Sequence, residues 1–133
     1  MGVQILHGGK TNAVKLACFY PGDESKFKAP FPNPGGAEIK VAAQCCRTDE
    51  TTPKKACTRF IGEPDQDGCI GGKKPLLEMT YSKAAAKCAA LSKPDDPDIG
   101  PLALCPFSCA FEGCEYNTKP VYSVRARRNH PIL

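Results

Sequence analysis

Nine of the 133 residues are cysteines, at positions 18, 45, 46, 57, 69, 88, 105, 109 and 114. A thiol can bond another thiol, ligate a soft metal or attack an electrophile, and spacing separates these roles. Covalent catalysis needs a thiolate beside a positioned base. The two histidines, His7 and His130, lie near the two ends of the chain, and no dyad is visible. Structural zinc favours two pairs of closely spaced ligands. Cys105 and Cys109 make one such pair and no second has matching spacing, so no metal is expected. Dense cysteine in a small chain reads instead as a disulfide framework of a secreted or lumenal protein. The candidates are Cys45, Cys46, Cys57, Cys69, Cys88, Cys105, Cys109 and Cys114. Eight cysteines allow 105 pairings, so connectivity stays open. Cys18 stands apart and is the candidate for a free or intermolecular thiol.

Other chemistries find less footing. Asp65-Gln-Asp-Gly68 and Asp95-Asp96-Pro-Asp98 offer hard oxygen ligands, but neither matches the twelve-residue calcium loop, and both read as turns. Glu63-Pro-Asp65 matches the sugar-binding tripeptide of C-type lectins; it precedes the helix and lacks the Trp-Asn-Asp partner, so it reads as a proline turn. No glycine-rich phosphate loop leads into a helix. An enzyme is not expected, nor a cofactor. The net charge of +4 is mild. Arg125, Arg127 and Arg128 read as a solvated basic tail, and a nucleic-acid partner would need more basic residues interleaved with aromatics. No stretch is long enough to span a membrane. The opening Met1–Gly9 carries only a short apolar run before its glycines and is not a secretory leader. The chain is therefore expected to be the mature part of a longer precursor.

Apolar patterning supplies the elements that must hold the cysteines. There is no Trp, and much of the hydrophobic fraction is Ala and Cys, so the core is expected to be thin. Cross-links and thirteen prolines compensate by restricting the unfolded chain. Ala13–Tyr20 alternates as a strand. Pro21–Gly36, rich in Pro and Gly, reads as a loop. Glu38–Gln44 alternates again and runs into Cys45-Cys46. Neighbouring strand side chains point to opposite faces, so these two cysteines are expected to bond different partners on the two sides of the strand. Thr48–Lys55 reads as polar loop and Cys57–Ile61 as a short strand. Thr80 is an N-cap for a three-turn helix at about 80–91 that aligns Tyr81, Ala84, Ala85, Cys88 and Leu91 on one face. Pro94, Pro97 and Pro101 forbid further helix before Leu102, and Lys119–Arg125 is a closing strand. The expected fold is a small disulfide-rich α+β domain: a short antiparallel sheet, one three-turn helix and long Pro/Gly loops. One domain covers 1–133. Residues 1–37 add an N-terminal strand and loop, 38–124 form the cysteine-rich core module, and 125–133 form the basic tail.

The order of residues resembles a cysteine-rich, lectin-like module of secreted and surface proteins of algae and other protists. That pattern runs from paired Cys after a short strand, through another Cys, to a helix with aromatic-x-x-Ala-x-x-x-Cys-x-x-Leu. It continues through Leu-Cys to Gly-Cys-x-aromatic and a closing aromatic strand. Here the matching residues are Cys45, Cys46 and Cys57; Tyr81, Ala84, Cys88 and Leu91; then Leu104, Cys105, Gly113, Cys114, Tyr116, Val121 and Tyr122. The match covers about 38–124, with Ser92–Ala103 inserted before Leu104. The resemblance implies carbohydrate or cell-wall interaction, and Tyr116 and Tyr122 are then the candidates to stack on sugars. Expected partners are glycans, or matrix and assembly proteins outside the cell. Two other readings stand beside it. The Pro21–Gly36 loop and the basic tail suit a structural subunit of an extracellular or lumenal assembly. Arg59, or Lys73-Lys74, on a rigid loop suits a disulfide-rich protease inhibitor.

Overall fold

A computed structural model describes residues 2–32, 35–61 and 68–126. Their elements run β1 (Val3–His7), β2 (Lys15–Phe19), β3 (Lys28–Pro30), β4 (Glu38–Lys40), β5 (Cys45–Arg47), α1 (Pro53–Ala56), β6 (Cys57–Thr58), α2 (Tyr81–Leu91), β7 (Leu102–Leu104) and β8 (Pro120–Ala126), with a 3-10 turn at Tyr116–Thr118 before β8. The strands make three small antiparallel sheets of order β2-β1-β8, β3-β4 and β6-β5-β7. The chain is thus a small disulfide-rich α+β domain. No helix among the described residues is long and apolar enough to cross a membrane.

In the first sheet, β1 and β8 bury residues on both faces. On β1, Val3 and Ile5 join the main core, whereas Leu6 joins a second cluster. On β8, Tyr122 and Val121 divide the same way. Adjacent strand residues point to opposite faces, so one ribbon serves two apolar layers. A shift of register between Ile5 and Leu6 marks a bulge there. The main core then extends through Ala43, Cys45, Ala84, Cys88, Leu102 and Leu104, and α2 packs on β7. Several of these are Ala and Cys, which add little apolar area each, and the cross-links add to what packing supplies.

Four disulfides join Cys45–Cys88, Cys46–Cys105, Cys57–Cys109 and Cys69–Cys114. Cys45 sits in the main core and Cys46 in a third, sulfur-rich cluster, so the adjacent pair does bond to opposite sides of β5. Cys45–Cys88 ties α2 to the middle strand of its sheet. That helix starts where the N-cap predicts, with the Thr80 hydroxyl accepting the Lys83 N–H at 3.3 Å.

Three readings of local structure are corrected. For residues 1–37 the sequence predicts one strand and a loop, yet the described residues there hold three strands, and β1 is the middle strand of its sheet. Part of the expected loop is β3, where Ala29 pairs with Ile39 and Pro30 ends an edge strand that needs no donor from it. The strand read at 38–44 is broken. Glu38–Lys40 pairs with β3, while Val41 to Cys46 are all buried, and Ala42 exchanges backbone hydrogen bonds with Pro120 and Tyr122. A run hidden on every side has no period-two signal to stop at. Within the polar loop at 48–55, Pro53 opens the single-turn helix α1, because its ring presets the helical φ.

Candidate functional site

The segment from Cys105 to Asn117 is fastened from every direction. Cys105, Cys109 and Cys114 each carry a disulfide to a different strand or loop. The Gln44 amide donates to the Phe107 carbonyl at 3.0 Å, and the Ser108 hydroxyl donates to the Lys10 carbonyl. Arg59, 1% exposed, sits at the centre. Its guanidinium spends all five donors on neutral acceptors: Gln44 Oε1 (2.9 Å), Gly8 O (2.9 Å), Ser108 O (3.0 Å), Gly113 O (3.1 Å) and Asn117 Oδ1 (3.1 Å). The Tyr116 ring lies 5.4 Å from it, a cation–π distance. Burial pulls the Arg59 pKa down to about 10, which leaves it charged at neutral pH. Gly8 can reach this hub because it has no side chain: a Cβ there would fall 2.0 Å from the Tyr116 carbonyl oxygen.

So held, the loop carries backbone that an unconstrained chain avoids. Cys109 (φ 56°), Phe111 (φ 68°), Cys114 (φ 59°) and Glu115 (φ 63°) are all left-handed non-glycine residues. For Phe111 this conformation is an outlier, and it persists because the Phe111 N–H donates to Asn117 Oδ1 at 2.8 Å, the oxygen that Arg59 also binds. The result is a Phe111 side chain that is 74% exposed. It stands at a cleft of about 520 Å³ whose walls include Thr11, Lys54, Cys57, Phe107 and Glu112. Mostly apolar walls with a few polar groups converging on them are the usual makings of a ligand site. Nothing in the local sequence announced Phe111, because its exposure follows from cross-links and hydrogen bonds that come from distant residues.

Neither tyrosine proposed for sugar stacking is free to do so. Tyr116 and Tyr122 are both 0% exposed. The Tyr116 hydroxyl accepts the Gly71 N–H at 2.8 Å and donates to the Gly72 carbonyl at 2.7 Å. The Tyr122 hydroxyl donates to the Met79 carbonyl at 2.6 Å, with the Phe19 and Tyr81 rings edge-on to its own. Burial raises both phenol pKa values. A buried aromatic whose hydroxyl is satisfied is a core residue. Arg59, read as a protease anchor, is corrected on the same ground; Lys74 is exposed and Lys73 half-buried. Cys18 has no disulfide and lies half-buried on the edge strand β2, opposite Gln4. Asp96 closes a turn by accepting the Asp98 and Ile99 N–H groups. Glu63-Pro-Asp65, most of the first acidic turn, His130 and the tail from 127 onward lie outside the described residues, as do the side chain of Arg125 and the Asn33-Pro34 step of the Pro/Gly loop.

Comparison with known proteins gives no further purchase: no family model matches the chain, and no curated protein or solved structure matches it significantly.

Proposed function

We propose that the protein is a non-catalytic extracellular binding module that takes the apolar face of a sugar at Phe111. The observation that carries this reading is a bulky side chain held in unfavourable backbone, in water, beside a cleft. A fold gains no stability from that arrangement, so a ligand is its natural use. An aromatic face is electron-rich and attracts the C–H-bearing face of a sugar ring. Lys54, Glu112 and Thr11 offer hydrogen-bonding groups around it. Four disulfides fit a chain that matures in an oxidising compartment, and secretion is the reading they favour.

The test is a glycan array followed by calorimetry on the best ligand, with Phe111→Gly as the variant. Glycine suits the left-handed backbone, so this variant should unfold no earlier than the parent and be more stable by up to about 1 kcal/mol. Its affinity should fall at least tenfold. An array with no signal above background, or full affinity in Phe111→Gly, overturns the reading.

A second reading rests on Phe60, also exposed, at 62%. Two large exposed aromatics suit a subunit that docks into an extracellular or lumenal assembly. Sedimentation should then show association that weakens in Phe60→Ser and Phe111→Ser. A monomer at high concentration with no co-purifying partner counts against it.

A further inference from the structure

We propose that Cys46, Cys57, Cys105 and Cys109 become a tetrathiolate zinc site when their two disulfides are reduced. Cys105 and Cys109 are the closely spaced pair visible in the sequence. The fold supplies the second pair, since Cys46 and Cys57 stand directly opposite each other where β5 pairs with β6. All four sulfurs lie within 4.8 Å of one another. Across the two disulfides, Cys46 Sγ is 3.8 Å from Cys57 Sγ and 3.7 Å from Cys109 Sγ, and Cys109 Sγ is 3.5 Å from Cys105 Sγ. Zinc with four thiolates at about 2.3 Å makes a tetrahedron with edges of about 3.8 Å. Three edges therefore have nearly the required span, and the two bonded pairs relax to it once their bonds are cut.

The surroundings suit an anionic metal cluster. Three of the four cysteines are buried and Cys57 is half-buried, with Ala56 and Phe107 packed around them. A zinc tetrathiolate carries net negative charge. Arg59 holds the carbonyl of Ser108, the residue before Cys109, and Lys54 lines the cleft beside Cys57. Cys57 and Cys109 themselves form part of the cleft wall, which gives a reductant and an ion their access. Each disulfide takes two electrons and two protons from a dithiol, which leaves as its own cyclic disulfide. Zinc then displaces the four thiol protons. The ion would hold β5, β6 and the Cys105–Cys109 loop together in place of two covalent bonds, so the reduced chain keeps its cleft.

The test uses the full chain, reduced under nitrogen with a phosphine, which consumes one water per disulfide and leaves as the phosphine oxide. Zinc is added, the sample is desalted, and native mass spectrometry counts the ion. One zinc per chain is expected, and cobalt in its place should show the visible spectrum of a tetrahedral tetrathiolate. On the unmutated reduced chain, iodoacetamide labelling with and without zinc, mapped by peptide mass spectrometry, should show protection that depends on zinc at Cys46, Cys57, Cys105 and Cys109 and at none of the exposed or half-buried cysteines outside that cluster. Cys57→Ser/Cys109→Ser should lose at least 100-fold in zinc affinity, whereas Cys69→Ser/Cys114→Ser should keep it. No retained zinc, or no zinc-dependent protection at Cys46, Cys57, Cys105 and Cys109, overturns the proposal, and the alkylation map reads it without relying on a variant that folds.

Discussion

Replacing Arg59 with Met probes how the strained loop is held. Methionine fills much of the space of the arginine stem but brings no donor. The change removes a donor from five acceptors at a position that is 1% exposed, although Asn117 Oδ1 keeps the Phe111 N–H and Gly113 O keeps the Tyr116 N–H. Gly113 O and Asn117 Oδ1 sit in part-buried bonds and can recruit water. Gln44 Oε1, Gly8 O and Ser108 O sit in buried bonds and cannot. A buried acceptor left unpaired costs about 1–3 kcal/mol, so three cost about 6 kcal/mol at mid-range. Losing the guanidinium also lifts its own desolvation penalty, roughly 2–3 kcal/mol of relief. The net loss is then about 3–4 kcal/mol, a large part of a small domain's stability. Urea unfolding with the disulfides intact reads it: for a slope of about 2 kcal/mol per M, the midpoint should fall by about 1.5–2 M. Arg59→Lys, which keeps the charge but not the planar fork, should fall between the two. Because the folded pKa is lowered only to about 10, Arg59 is charged in both states below that, and the parent-to-variant difference should stay flat across neutral pH. A midpoint in Arg59→Met within about 0.3 M of the parent would show that the five bonds contribute nothing beyond an apolar stem.

Removing the Cys45–Cys88 bridge as the double alanine variant opens a separation of 43 residues, and chain entropy puts the loss at up to about 4 kcal/mol; circular dichroism should show α2 fraying first, since an eleven-residue helix is marginal alone. Tyr116→Phe leaves the buried Gly71 N–H without its acceptor and the Gly72 carbonyl without its donor, and should cost at least about 1–3 kcal/mol by the same urea assay. His7 is held below its ordinary value of 6.5, chiefly by burial and then by Lys10, with its Nδ1 accepting the Gly9 N–H. The unfolded chain thus binds this proton first, and stability present above 6.5 is lost as pH falls through the lower folded value. The parent should therefore lose more stability than His7→Gln between neutral and mildly acid pH, and equal losses would remove His7 as the cause.

What the sequence made legible follows from range. The helix was readable to the residue because its signals are local: a threonine cap, a face of Tyr81, Ala84, Cys88 and Leu91, and prolines that stop anything further. The opposite destinations of Cys45 and Cys46 were readable because strand geometry is local too. The site was not. Tyr116 and Tyr122 carry the residue type that sugar sites use, but a tyrosine with its hydroxyl on a backbone carbonyl serves a core equally well, and only tertiary structure distinguishes the two. Arg59 misled for the mirror reason. A lone arginine on a loop reads as solvated until Gly8, Gln44, Ser108, Gly113 and Asn117 arrive from three other segments to satisfy it. The same long-range convergence turns Cys46 and Cys57, eleven apart in sequence, into cross-strand neighbours. Each of these features depends on residues far apart in the chain meeting in one place. The meeting is held by disulfides and by Arg59, the one buried cation among the described residues, so changing Arg59 should disturb the Phe111 cleft more than any change to the cleft's own exposed walls.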